Sequence, residues 1–471
     1  MDQLLSILLQ NRGGSPAEGS HLQNVSDEHQ RTVYKALAAT STYVLASPTS
    51  SNDDPLSLLD PRTNTLAFAM ILTARIKHSP SSSLLLAHAL TFAQRFDPRQ
   101  LVVAPQELPA VGEAIILCAD AARCRRAAVR PLQLICLRLN ATPVSGNTVG
   151  MSAVDLDEYA FNVIAGNVSQ SGVHLTPLHV QFLKVCLLAK NYKIARTVLD
   201  VPITDFASPV APIAAVQDFL LYHYYGGLVH IGNKRFQAAQ QFFEICLNAP
   251  STVPSAIQIE SYKRLVLVSL LLKGEMTALP KSVAPIVLRS CRSQAAAYLE
   301  FASAFASLSH TRAAAKAQQF AERFHADKTL GLVQQCLADI VRRKIQQLTS
   351  TYLTLSLGDI ARSVGLVDAS VPIEVAEAEA EAHVLQMIES GRVLATISHA
   401  DGGMVSFHDV AESFDSLATT EKLERELASA AAADLDARDL DRKISLSREY
   451  LQRITQDKSK AASSTLDDDQ V

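Results

Sequence analysis

Gly391 to His408 reads GRVLATISHADGGMVSFH, and this stretch decides the fold. Val393, Ala395 and Ile397 alternate along its first half and Val405 and Phe407 along its second, a period of two that marks two short strands. Between them, His399–Gly403 contains Asp401-Gly402-Gly403, the residue types a tight hairpin needs. Upstream, Pro372 precedes a helical run to about Ser390 with Val384, Met387 and Ile388 on its inner face, and Gly391 stops it. Before that, Ser356 and Asp359 form an N-capping pair that opens a short helix with Ile360 and Val364 one turn apart. Earlier still, Leu332–Leu348 is amphipathic. Val333, Leu337, Val341, Ile345 and Leu348 make one stripe, while Gln335, Asp339, Arg342, Arg343 and Gln346 face away. Helix, helix, helix, hairpin is the order of a winged helix.

On the C-terminal side a long polar helix follows residue 420. Leu440, Ile444, Ser447, Leu451 and Ile454 keep a three–four spacing, continued upstream by Leu423 and Leu427, which predicts a seam for a partner helix. The polar tail, residues 458–471, ends in an acidic cluster at Asp467–Asp469 and carries too little apolar surface to fold. On the N-terminal side, His174–Ala189 is answered by Asn191–Leu199, and Ile213–Ile231 by Phe236, Ala239, Phe243 and Leu247. Small residues at such crossings let antiparallel helices approach, and large ones fill the groove beside them, as in tetratricopeptide-like pairs. Glu260–Lys273 and Ser293–Leu308 continue the stack. Further upstream, the apolar runs Leu66–Ile76, Leu84–Phe96 and Val111–Ala128 alternate with breaker-rich segments at Ser47–Asn64, Asp97–Pro109 and Asn140–Gly172.

The expected fold is therefore mostly α: a right-handed α-solenoid of helix pairs, a winged-helix subdomain and a C-terminal helix. The expected divisions are irregular repeats over 1–173, regular repeats over 174–330, the winged helix over 331–410, a bundle-forming segment over 411–457 and a disordered tail over 458–471. Aromatics supply only 6% of the residues, tryptophan is absent and glycine and proline are scarce, all of which favour helix over sheet. A formal charge of −4 over 471 residues opposes non-specific nucleic-acid binding, which needs a net basic surface. Seven cysteines without a C-x-x-C pair read as small core residues of a reducing compartment. The start, Met1–Gln10, lacks the basic n-region of a signal peptide, and Leu265–Leu272 is too short to span a bilayer, so no membrane association is expected.

Chemistry is sparse. The helix that would enter a DNA groove carries Glu374, Glu377, Glu379, Glu381 and Glu389 and neither lysine nor arginine, so phosphates are repelled. Thirteen histidines form no H-E-x-x-H or H-x-H pair. His174 and His179 are poorly spaced for one helical face, and His399 and His408 bracket the hairpin without a carboxylate or cysteine cluster to complete a metal site. No phosphate-binding loop, nucleophile elbow or dinucleotide fingerprint occurs. The aromatic cluster Tyr222–Gly227, YHYYGG, reads as rings packed on a neighbouring helix with glycines allowing close approach. No catalytic, cofactor-binding or metal-binding residue is assigned. Interaction residues are assigned instead: Val393, Ala395, Ile397, Met404, Val405 and Phe407 in the hairpin, whose open edge offers backbone groups to another chain, and Leu440, Ile444, Leu451 and Ile454 in the C-terminal helix.

A helical stack running into a winged helix resembles the PCI domain family, whose members build the proteasome lid, the COP-nine signalosome and translation initiation complexes. The strings CLLAK (Cys186–Lys190), YYGG (Tyr224–Gly227), ESYKRLVLVSLLLKG (Glu260–Gly274), GLVQQCL (Gly331–Leu337), TYLTLSL (Thr351–Leu357) and MVSFHD (Met404–Asp409) make the signalosome branch the nearest likeness, over about residues 174–410. The resemblance implies a non-catalytic scaffold subunit of the complex that removes the ubiquitin-like protein NEDD-eight from cullin–RING ligases, found in nucleus and cytoplasm. It implies other PCI subunits and the zinc-peptidase subunit as partners and cullin–RING ligases as substrates of the whole. It also implies association through Arg392–Ser398 and Met404–His408 and a helix bundle formed with Glu421–Gln456. The rivals are a PCI subunit of the proteasome lid or of an initiation factor, and a nucleic-acid-binding winged-helix protein.

Overall fold

The computed structural model of the protein describes residues 21–49, 53–141, 174–201, 203, 215–251, 253–280, 282–365, 372–399, 403–408, 417–447, 450 and 452. They divide into two compact units, Met1–Ile345 and Gln346–Val471.

The first unit is a run of helices. It opens with α1 (His21–Ala39), α2 (Thr42–Ala46), α3 (Pro55–Leu58), α4 (Thr65–His78), α5 (Ser83–Arg95), a 3-10 turn over Pro98–Val103, α6 (Glu107–Ala121) and α7 (Arg125–Ala141). There follow α8 (Pro177–Leu188), α9 (Tyr192–Leu199), α10 (Val216–Gly232), α11 (Phe236–Asn248) and α12 (Ala256–Lys273). The last are α13 (Pro285–Gln294), α14 (Ala296–Ala306), α15 (His310–Gln319), α16 (Ala321–Ala326) and α17 (Leu330–Thr349), within which the division between the units falls. Packing is mostly between helices close in sequence, with α8 on both α7 and α10, and α12 on α11, α13 and α14. Among the described residues two large apolar cores result, one from Val33 to Val229 and one from Ala239 to Ile340, with a small cluster of Leu220, Cys246 and Ala249 beside them.

One turn recurs through this unit. At the ends of α6, α8, α10 and α16 a residue adopts positive φ, and the next N–H reaches back five residues: Cys124 to the Ala119 carbonyl, Asn191 to Cys186, Arg235 to His230 and Thr329 to Phe324, at 2.8–2.9 Å. This is the Schellman closure, which satisfies carbonyls that a helix end would leave open. The left-handed position is filled by Arg123, Lys190, Lys234 and Lys328 in place of the usual glycine.

α12 is the central helix. Ser255 caps it, its Oγ accepting from Ile257 N while Gln258 Oε1 accepts from Ser255 N, and Gly274 ends it at φ +82°. Residues on every side of it are buried, which explains the unbroken apolar run Leu265–Leu272. Its buried cations are answered. Lys263 Nζ lies 2.6 Å from Glu260 and 2.9 Å from Asp327, and Arg264 reaches Glu260 and the Asp327 carbonyl and lies over the Tyr224 ring.

Several expectations are corrected. The run Val111–Ala128 is not one helix, because Ala122–Cys124 turn between α6 and α7 with Arg123 doing what a glycine usually does. Ser293–Leu308 is likewise split: α13 ends at Gln294 and α14 begins at Ala296. On α17 the buried side chains are Val333, Cys336, Asp339, Ile340 and Ile345, so Asp339 and Arg343 do not both face away. Asp339 accepts from Arg343 Nε at 2.8 Å, and Arg343 also donates to the Leu271 carbonyl at 2.7 Å, so the pair is buried because it is paired.

The second unit is β1 (Thr354–Ser356), α18 (Leu357–Val364), α19 (Ile373–Glu389), β2 (Ala395–Ser398), β3 (Met404–Phe407) and α20 (Leu417–Leu446). Ser356 caps α18 with its Oγ accepting from Asp359 N at 3.1 Å, and Gly365 closes it at φ +84°. α18 packs on α19 through Ile360, Val364, Ala376, Ala380 and Val384.

Candidate interaction surfaces

The sheet has the order β1-β3-β2, all antiparallel. A three-residue strand preceding α18 thus joins the expected hairpin, pairing Leu355 with Val405 while Ile397 flanks Val405 from the other side. β2 and β3 form the expected hairpin, and β1 makes the sheet three-stranded. β3 is bonded along both sides and offers no edge, and its Val405 and Phe407 are buried, as is Val393. Those three side chains build the core. Ala395, Ile397 and Met404 are half-buried. Among the described residues the open edges are the outer sides of β1 and β2. Beyond the strands, Phe407 N donates to the Leu353 carbonyl at 2.7 Å and His408 N to the Leu394 carbonyl at 2.8 Å. Leu353 and Leu394 therefore stand on either side of β3 at one end of the sheet, both exposed, Leu353 at 76%. Neither leucine stands out in the sequence by itself; the alternation in TYLTLSL is the signal for Leu353.

The two hairpin histidines have separate partners. His399 lies 3.3 Å from Glu381, and His408 Nε2 lies 2.9 Å from Thr396 Oγ1. On α19, Glu374, Glu379 and Glu389 are exposed and Glu377 and Glu381 half-buried, so its outward charge is negative.

α20 is 30 residues long, about 45 Å at 1.5 Å per residue. From Thr420 to Leu446 every side chain is exposed. Leu423, Ala430, Ala437 and Ile444 recur at sevens, with Ala433 and Leu440 offset by three, a coiled-coil pattern whose middle is narrow enough for close approach. Leu423, Leu440 and Ile444 are 53–57% exposed. Leu451 and Ile454, placed on the same seam, lie outside the described residues, as does the expected tail.

The remaining chemistry-bearing groups are structural. Gly226 and Gly227 lie against the Phe242 and Phe243 rings, as the aromatic cluster required. His179 is buried with its Nδ1 2.8 Å from Thr176 Oγ1. Burial, chiefly, lowers His179, His223 and His230 to about 4, so all three are neutral at physiological pH. Burial alone would push the Asp327 carboxyl up, but Lys263, Tyr298 and Arg264 pull it below the usual range. Six cysteines are buried and Cys124 is exposed. Among the described residues no group of three histidine, cysteine or acidic side chains is placed to hold a metal, and no helix is long and apolar enough to cross a membrane.

Packed helix pairs leading to a small winged helix with two open sheet edges and a bare C-terminal helix define a PCI-class subunit, and a PCI domain model matches residues 317–409. A family model described as COP9 signalosome complex subunit 3, N-terminal helical repeats, matches residues 28–287, so the likeness extends well upstream of residue 174. The chain belongs to the COP9 signalosome subunit 3 family. It is 33% identical over 309 residues to COP9 signalosome complex subunit 3 of Dictyostelium discoideum, a match covering 66% of this chain and 71% of that one. It is also 33% identical over 263 residues to the protein of that name from Drosophila melanogaster, covering 53% and 57%.

Proposed function

We propose that this chain is a non-catalytic scaffold of a signalosome that removes NEDD-eight from cullin–RING ligases, working by shape and by added secondary structure. The observation that carries this reading is α20. A helix this long with apolar side chains exposed along a heptad seam gains stability when other helices cover it. The outer edges of β1 and β2, with Leu353 and Leu394 beside them, supply a second contact, to the winged helices of neighbouring PCI subunits. The zinc-peptidase subunit supplies the chemistry and the cullin–RING ligases are its substrates, in nucleus and cytoplasm. Membership of the signalosome subunit 3 family favours this over the proteasome lid and initiation complexes, and the acidic α19 disfavours a nucleic-acid role.

The test is a native pulldown of the tagged chain with mass spectrometry, wild type beside Leu440→Asp, Ile444→Asp. Wild type should bring down several PCI proteins, a zinc peptidase and cullins, and the double variant should lose most of them. Recovery of wild type alone, or with nucleic acid, would sink the proposal.

A further inference from the structure

Three of the left-handed turns are consecutive along the stack: Arg123 between α6 and α7, Lys190 between α8 and α9, and Lys234 between α10 and α11. They are also neighbours in space. Asp120, Arg123–Ala127 and Leu188–Ala189 line one groove of about 690 Å³, in which Arg125 neutralises Asp120. Asn233 Nδ2, in the third turn, donates to the Tyr192 carbonyl beside the second at 3.0 Å. A cation at such a turn is unsurprising by itself, since it faces the carbonyl end of the preceding helix.

The residues that follow are the informative ones. α7 opens with Arg125 and Arg126, α9 carries Lys193 in its first turn, and Arg235 is the N-cap of α11, while none of the three helices has an acidic residue in its first turn. The start of a helix favours carboxylates and disfavours cations, so the fold does not ask for this arrangement, yet three alternate helices repeat it. Arg125 is answered by Asp120 and Arg235 by Asp200, each at 2.5 Å. Arg123, Arg126, Lys190, Lys193 and Lys234 are exposed and have no carboxylate within ion-pair distance among the described residues. A chain with a formal charge of −4 thus concentrates uncompensated positive charge on one edge.

We propose that this edge docks an extended acidic peptide segment of a partner protein, with one apolar side chain of that segment seated against Leu188 and Ala189. Helix pairs pack about 9 Å apart, so three turns span about 20 Å, the length of about six extended residues. The groove joins charge to apolar surface, Leu188 being 46% exposed, and that combination suits an acidic peptide carrying a leucine-like residue. It suits single-stranded nucleic acid poorly, because base stacking needs exposed rings. Tyr192 and Phe236, the aromatics at these turns, are half-buried, Tyr192 with its ring against Gly232.

The test is fluorescence anisotropy on the full chain. The probe is a labelled octapeptide of aspartate and glutamate around one central leucine, beside its asparagine–glutamine counterpart, a leucine-to-serine version and an oligothymidylate of equal charge. The variant is Arg126→Glu, Lys193→Glu, which places carboxylates where helix starts favour them and so leaves the fold intact, as an unchanged melting temperature will verify. Expected are binding of the acidic probe that weakens with salt, a loss of about tenfold in the variant, weaker binding of the serine probe, and retention by Arg126→Lys, Lys193→Arg. Equal binding of acidic and neutral peptides, an unaffected glutamate variant or tighter binding of the oligothymidylate would each overturn the proposal.

Discussion

A Cβ on Gly227 would stand 2.5 Å from Cε1 of Phe243, whose ring is fully buried between α10 and α11. Glycine within a helix is ordinarily a liability of about 1 kcal/mol against alanine. Here the ring occupies the space a methyl group would need, and the second core surrounds that ring. Gly227→Ala is therefore expected to destabilise the first unit by about 1–3 kcal/mol, opposite in sign to the propensity gain. Urea unfolding of the two proteins side by side reads the difference.

His230 is 2% exposed, both ring nitrogens lack a hydrogen-bond partner among the described residues, and the ring packs edge-on to Phe242 at 4.9 Å. With His179 and His223 it is held near 4, against about 6.5 in an unfolded chain. Between those values the unfolded chain binds more protons than the folded one, so stability falls as pH drops from about 6.5 to 4 and is flat in this respect above 6.5. His230→Phe should leave stability at pH 7.5 within about 1 kcal/mol and flatten the acid slope. A denaturant midpoint that loses as much between pH 7.5 and 5 in the variant as in wild type would refute this.

Lys263 is buried against Asp327, which also accepts from Tyr298 Oη at 2.8 Å. Removing the carboxylate leaves a buried ammonium underpaired, so Asp327→Ala should cost about 3–5 kcal/mol. The exposed pair Lys316–Glu300 serves as its contrast, and Lys316→Ala should cost about 0.5 kcal/mol or less. Comparable losses in the two variants would show that the buried network contributes nothing particular.

The inner and outer strands of the small sheet should respond differently to substitution. Leu394 turns its carbonyl toward β3, so the alternation of a strand points the Ala395 and Ile397 backbone groups outward. Ala395→Pro should preserve the ladder and abolish strand addition by a neighbour. Val405→Asp, which buries a charge at the centre of the sheet, should unfold the second unit. Circular dichroism melts together with pulldowns distinguish the outcomes, and loss of folded structure in Ala395→Pro would count against the assigned edge.

The sequence announced the winged helix because its punctuation is strong: Pro372, Gly391 and the capping Ser356 sit at the bounds of α18 and α19. It did not announce β1, since the alternation of Leu353, Leu355 and Leu357 runs straight into α18 and the pairing with β3 is remote in the chain. The break at Ala122–Cys124 was hidden because Arg123 occupies a position that glycine usually signals. Asp339 and Arg343 look solvent-facing on polarity alone, whereas Asp339 is buried and paired with a half-buried Arg343. The C-terminal helix was legible as far as Leu446, because its apolar spacing needs no tertiary knowledge to be recognised.

β1 and β2 close the small sheet on opposite sides of β3 with three and four residues, one leading into a helix and the other into a hairpin. The two borders are thus not copies of each other, and what fits one has no reason to fit the other. A contact that joins the β1 border of one unit to the β2 border of another is heterologous, with a different surface on each side. A row assembled in that way would have a direction, each member's place in it being written in the difference between its two ends.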